Sequence, residues 1–125
     1  MEVTDPICTF LTNREVLSVL QESKSSKQKH MRKHNTIVYE TTNFLKSTPA
    51  ASQNEEDAKR LMSDLENLFH LTSAEILQVI NLRPTSNVEL AMILEECEER
   101  FSDEKLEEML ALITLGLPKK MDGAE

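Results

Sequence analysis

The chain has 125 residues, enough for one domain with a single core, yet it carries only four Phe, one Tyr and no Trp. Two Gly and four Pro are too few for a multi-stranded sheet with tight hairpins, so Leu, Ile, Val, Met and Ala must fill the interior of packed helices. A formal net charge of −8 argues against a free-standing nucleic-acid binder, which draws its affinity from basic contacts to phosphate.

From the N-terminus, residues 1–11 hold Ile7, Cys8, Thr9, Phe10 and Leu11 after Pro6, a mixture that predicts an extended arm. A lone strand is not stable by itself, so such an arm needs cover from elsewhere. Thr12 or Asn13 can cap a short first helix over 14–22, in which Val16, Leu17 and Leu20 recur at helical spacing. Residues 23–34 are polar and basic, with Lys27, Lys29, Arg32 and Lys33, and read as a flexible linker. Apolar side chains placed before such a linker either fold back or lie on a partner, and the separation favours a partner. Residues 36–46 read as a helix with Ile37, Val38, Phe44 and Leu45 on one face, followed by a loop from Pro49 to Gln53.

The remainder is well punctuated. Asn54 can cap a helix with the face Ala58, Leu61, Met62, Leu65, Leu68 and Phe69. Thr72 to Glu75 and Ser86 to Glu89 both spell capping boxes. The first opens a short helix with Ile76, Leu77 and Ile80, ended by Arg83 and Pro84. The second opens a longer helix with Leu90, Ile93, Leu94, Cys97 and Phe101 inward. Ser102 caps the last helix, with Asp103 and Glu104 in its first turn, Leu106, Met109, Leu110 and Ile113 inside, and Gly116 and Pro118 as the stop. The prediction is an all-α chain in four parts: arm and first helix over 1–22, linker over 23–34, bundle over 35–117, and tail over 118–125.

No set of residues spells catalysis, a cofactor or a metal. His30 and His34 are four apart, but Lys29, Arg32 and Lys33 surround them and would repel a cation. His70 has no orienting acid or nucleophile beside it and reads as a helix-end histidine. Cys97 falls on an apolar stripe, and Cys8 lacks a basic neighbour that would activate it. Glu95, Glu96, Glu98 and Glu99 fan over an outer helical face once Leu94, Cys97 and Phe101 point inward. No Gly-rich phosphate loop or nucleophile elbow is present. The linker cations can touch phosphate, though without an interleaved aromatic for stacking, and a plain tether is the favoured explanation. No apolar run reaches the roughly 18 residues that cross a bilayer. The opening Met1-Glu2-Val3 shows no signal-like pattern, so the two cysteines predict a reducing compartment, nuclear or cytoplasmic.

The stretch from Asn81 to Leu90, with Asn81, Arg83, Pro84, Val88 and Glu89 as its most specific positions, carries a resemblance, together with Glu95 to Phe101, Met1 to Val3, Leu11 to Val16 and Asn35 to Thr41. In order, over about 1–117, these segments resemble the small stalk subunits of RNA polymerase III, also called the calcitonin gene-related peptide receptor component family. That family is related to the small stalk subunits of RNA polymerase II and archaeal RNA polymerase. The resemblance implies an HRDC-like (helicase-and-RNase-D C-terminal) helical bundle. It further implies a heterodimer with a larger stalk subunit carrying an oligonucleotide-binding barrel, and contacts to the polymerase core and initiation factors in the nucleus. Nucleic acid would be met mainly through the partner. On this view the arm is the anchor, through Ile7, Phe10, Leu11, Val16, Leu17 and Leu20. Two other readings compete: a stand-alone HRDC-like nucleic-acid module, and a signalling adaptor for the receptor, for which no lipidation motif or basic amphipathic helix is present. Some relatives carry a longer acidic tail than the residues after Met121, so a tail function is not expected here.

Overall fold

The computed structural model describes residues 9–23 and 32–118. Among them the regular structure is all helical: α1 Asn13–Ser23, α2 Arg32–Lys46, a 3-10 turn Pro49–Ser52, α3 Glu55–Phe69, α4 Ser73–Leu82, α5 Asn87–Ile93, α6 Cys97–Arg100 and α7 Asp103–Gly116. The core lies among α3, α4, α5 and α7, where Leu65, Val79, Ile80, Leu90, Met109 and Ile113 are fully enclosed. α3 and α7 pack side by side. A Cβ at Gly116 would meet Leu61 Cβ at 3.3 Å, so a small residue lets the end of α7 come this close.

Caps set the boundaries. Asn54 accepts the backbone N–H groups of Glu56 and Asp57, Thr72 and Glu75 close a reciprocal capping box, and Ser102 accepts the N–H of Lys105. With two glycines in the chain, α3 and α4 end on His70 and Arg83 in left-handed backbone, at φ 55° and 47°. The Ser86 box is only half formed. Ser86 accepts from the N–H of Glu89, but the Glu89 carboxylate turns instead to the N–H and hydroxyl of Thr85.

The helix expected from Leu90 through Phe101 is broken. α5 ends at Ile93, Glu96 takes left-handed backbone at φ 50°, and α6 starts at Cys97. The cause is a buried carboxylate. Glu75 is only 6% exposed, yet its Oε2 accepts the Glu95 N–H at 3.0 Å and Arg100 Nη1 at 2.7 Å, and its Oε1 accepts Arg100 Nη2 at 3.0 Å. A continuous helix would give the Glu95 N–H to an intrahelical carbonyl and carry Arg100 elsewhere. Arg100 also sits 5.0 Å from the Phe101 ring centre, and that ring meets Phe69 edge-on at 6.4 Å.

Of the two arrangements the sequence left open for α1, folding back or lying on a partner, with the partner favoured, the structure shows α1 folded back onto its own chain. It packs on α2 and on the 3-10 turn, which in turn touches α4. Leu17 is 1% exposed, and Val38, Leu45 and Ala50, on the elements that α1 packs against, are buried as well. α2 begins at Arg32, inside the predicted linker; residues 24–31 of that linker lie outside the described residues.

Burial pushes the Glu75 carboxyl upward. The Arg100 hydrogen bonds and the N–H groups of Thr72 and Glu95 outweigh this and hold it down to about 2, against an ordinary 4.5. A lowered folded-state value contributes stability above the unfolded value and loses it as pH falls through the folded one. Acidification from pH 4.5 toward 2 should therefore remove on the order of 3 kcal/mol through this group. In pH-dependent denaturant unfolding, Glu75→Gln should flatten that loss while lowering stability at pH 7. Leu17→Ala should cost the isolated chain about 2–4 kcal/mol in the same assay, because its side chain is enclosed by its own fold.

Candidate partner-binding surface

The described surface carries its exposed large apolar side chains unevenly. Phe10, Leu11, Val19, Ile37, Tyr39 and Phe44, six of the eleven, lie between residues 9 and 46. Val19, Ile37, Tyr39 and Phe44 rest on helices that bury other side chains in the fold, and Phe10 and Leu11 lie just before α1. In α2, Val38, Thr42 and Leu45 point inward. Ile37 and Phe44, seven apart and so nearly in register, form a second apolar face, 64% and 65% exposed. The sequence reading put all four apolar residues on one face. The offset of about 100° between adjacent helical residues separates them. A helix with heptad-spaced pairs at both 37/44 and 38/45 signals two contact faces, and that signal was there to be read.

The arm leaves this region from a fixed point. Thr12 is buried at the N-terminus of α1 and forms a reciprocal box with Glu15: the Glu15 N–H donates to Thr12 Oγ1 at 3.2 Å and the Thr12 N–H to Glu15 Oε1 at 3.0 Å. The Asn13 N–H donates to Asn81 Oδ1 at 2.8 Å, across 68 residues of chain. Arg14 reaches the carbonyls of Ala50 and Ala51 at 3.5 Å each. Just upstream of these ties, Phe10 and Leu11 stand 65% and 43% exposed.

The six anchor residues expected from sequence thus separate. Phe10 and Leu11 face outward; Val16 and Leu20 are half-buried; Leu17 is turned into its own fold. Ile7 lies outside the described residues. Among the four phosphate-contact candidates, Lys27 and Lys29 also lie outside them, Arg32 opens α2, and Lys33 is exposed on that helix. His30 and Cys8 are outside as well, while His34 is exposed on α2 and His70 forms the C-cap of α3. No group of three or more His, Cys, Asp or Glu poised for a metal occurs among the described residues. Cys97 sits in the core, where burial pushes its thiol up and keeps it protonated near neutrality. Leu68, expected inside, is 61% exposed. Glu95, Glu96, Glu98 and Glu99 are all exposed around the α5–α6 break. No helix among the described residues is long and apolar enough to cross a membrane.

The pattern of the RNA polymerase Rpb4 family matches residues 10–115, which takes in α1 through nearly all of α7. The chain belongs to this family. It is 30% identical over 96 residues to the DNA-directed RNA polymerase III subunit rpc9 of Dictyostelium discoideum, covering 73% of this chain and 72% of that protein. It is also similar to the subunits of the same name in Saccharomyces cerevisiae and Schizosaccharomyces pombe. The yeast match is 41% identical over 64 residues, 51% of this chain and 39% of that protein. The fission-yeast match is 27% identical over 129 residues, 94% of this chain and all of that protein. The Asn81–Glu89 stretch has a structural meaning in this fold. Asn81 ties the start of α1, and Arg83 Nη2 donates to the Leu117 carbonyl at 3.1 Å, tying the end of α7.

Removing the guanidinium that neutralises Glu75 leaves a buried carboxylate with only backbone donors. Arg100→Ala should cost about 2–4 kcal/mol in thermal or denaturant unfolding.

Proposed function

We propose that this chain is the small stalk subunit of RNA polymerase III. On this reading it works in the nucleus as an accessory subunit without catalytic residues of its own. It pairs with the larger, barrel-carrying stalk subunit, and the pair supports initiation by contacting the polymerase core and initiation factors. The observation that carries the reading is the family match across 10–115 together with relatives that are RNA polymerase III subunits.

The contact face that fits the partner best is the arm and the outer side of α2: Phe10, Leu11, Ile37 and Phe44. A fold that encloses Leu17, Val38 and Leu45 yet leaves these four exposed has an apolar face to spare next to a buried seam. The net charge of −8 supports an adaptor whose barrel-bearing partner meets the nucleic acid. Lys27, Lys29, Arg32 and Lys33 then serve as a secondary phosphate contact within the assembly.

Calorimetric titration of the full chain with the larger stalk subunit tests this. The wild type should bind, and Phe10→Asp or Phe44→Asp should weaken binding by about 30-fold or more, as for a central interface anchor. The unfolding midpoint of the free chain should move little, because both side chains are already in water. Absence of binding by the wild-type chain would remove the proposal.

A further inference from the structure

We infer that Asn81 is a positioning residue for the partner interface: from the end of α4 it closes the N-terminus of α1 and sets the direction in which Phe10 and Leu11 leave the fold. This rests on the arm being a partner contact, as proposed above. Helix starts leave N–H groups without intrahelical acceptors. At α1 the local box serves two donors, the Glu15 N–H through Thr12 Oγ1 and the Thr12 N–H through the Glu15 carboxylate. The Asn13 N–H lies between them in sequence and has its acceptor in Asn81 Oδ1 at 2.8 Å. A backbone N–H only donates, so the side-chain oxygen is the atom required there.

The mount for this oxygen is stiff. The Ile80 carbonyl accepts Gln53 Nε2 at 2.6 Å, Ile80 itself is fully enclosed, and Arg83, two residues beyond Asn81, is buried and bonded to the Leu117 carbonyl. Phe10 lies three positions before Asn13, a reach of about 10 Å if extended. A small change in the direction of the first peptide units of α1 is therefore amplified at the Phe10 ring. The hydrogen bond ties that ring's origin to the most enclosed helix of the fold.

The test is a double-mutant cycle on the full chain, with affinity for the larger stalk subunit as readout and the unfolding midpoint recorded alongside. Asn81→Leu keeps the approximate volume and removes the acceptor; Asn81→Ala removes it without bulk. Each should weaken binding about three- to tenfold. Asn81→Asp keeps an acceptor, with a charge suited to a helix N-terminus, and should bind within about twofold of wild type. In a Phe10→Ala, Leu11→Ala background the effect of Asn81→Leu should vanish, because there is no longer an arm side chain to aim. An equal loss in that background would overturn the inference, as would full affinity of Asn81→Leu in the wild-type background. Wild-type affinity of the Phe10→Ala, Leu11→Ala chain removes the arm contact and the inference with it. Normal loss in that chain but none for Asn81→Leu removes the inference alone. Failure of both Asn81→Leu and Asn81→Ala to fold makes Asn81 a structural tie and overturns the positioning role.

Discussion

A carboxylate excluded from water must be met by donors on every open side, and Glu75 is met by four: the N–H groups of Thr72 and Glu95 and two guanidinium nitrogens of Arg100. Satisfying it fixes more than one ion pair. Its Oε1 closes the cap of its own helix, while its Oε2 holds the first residue of the acidic run and stops α5 from continuing into α6. Arg100, drawn inward by the same group, lies against Phe101, whose ring completes the aromatic contact with the end of α3. The four neighbouring glutamates consequently point into water around a turn rather than along a straight helix.

The same helix gathers both ends of the described fold. Val79 and Ile80 fill the core from α4, while the polar groups at its C-terminal end reach outward: the Ile80 carbonyl to Gln53, Asn81 to Asn13 and Arg83 to Leu117. Apolar burial alone is non-directional and would tolerate some sliding of α1 and α7 over this surface. Directed hydrogen bonds over 27, 68 and 34 residues of chain remove that freedom. The left-handed backbone at Arg83 belongs to the same arrangement, since it turns the chain so that the guanidinium faces the end of α7.

What could be read in the sequence was local. Asn54, Thr72 and Ser102 cap helices in the places their side chains imply, and the inner faces of α3, α4 and α7 follow the 3.6-residue period, apart from Leu68. What could not be read depended on distant partners. Glu75 was legible as the N3 residue of a capping box, but its second oxygen is satisfied by residues 20 and 25 positions away, and the break at Leu94–Glu96 follows from that. The return of α1 was hidden for a similar reason. Residues 23–34 carry no apolar pattern to announce a hairpin, and the acceptor that captures Asn13 sits in α4. Ile37, Val38, Phe44 and Leu45 look like one apolar face by content, but their phase divides them. Placing 37/44 and 38/45 on a helical wheel separates them by about 100°.

The apolar residues in and just before the first helix therefore differ in their cover. Leu17 is spent on the chain's own seam with α2, which is why α1 has a defined position without any partner. Phe10 and Leu11 lie beyond the point where that seam can cover them, upstream of a helix start bonded to Asn81. An arm on an unanchored helix would have to lose the conformational freedom of both elements on association. Here the helix is already held by its own fold, so on the reading proposed above association does not have to order it. On the same reading, the exposed side of α2 that carries Ile37 and Phe44, on a helix packed against α1, supplies the fixed half of the surface. A surface built from one preset helix face and one tethered arm can gain affinity from apolar contact without needing any change in the acidic bundle behind it.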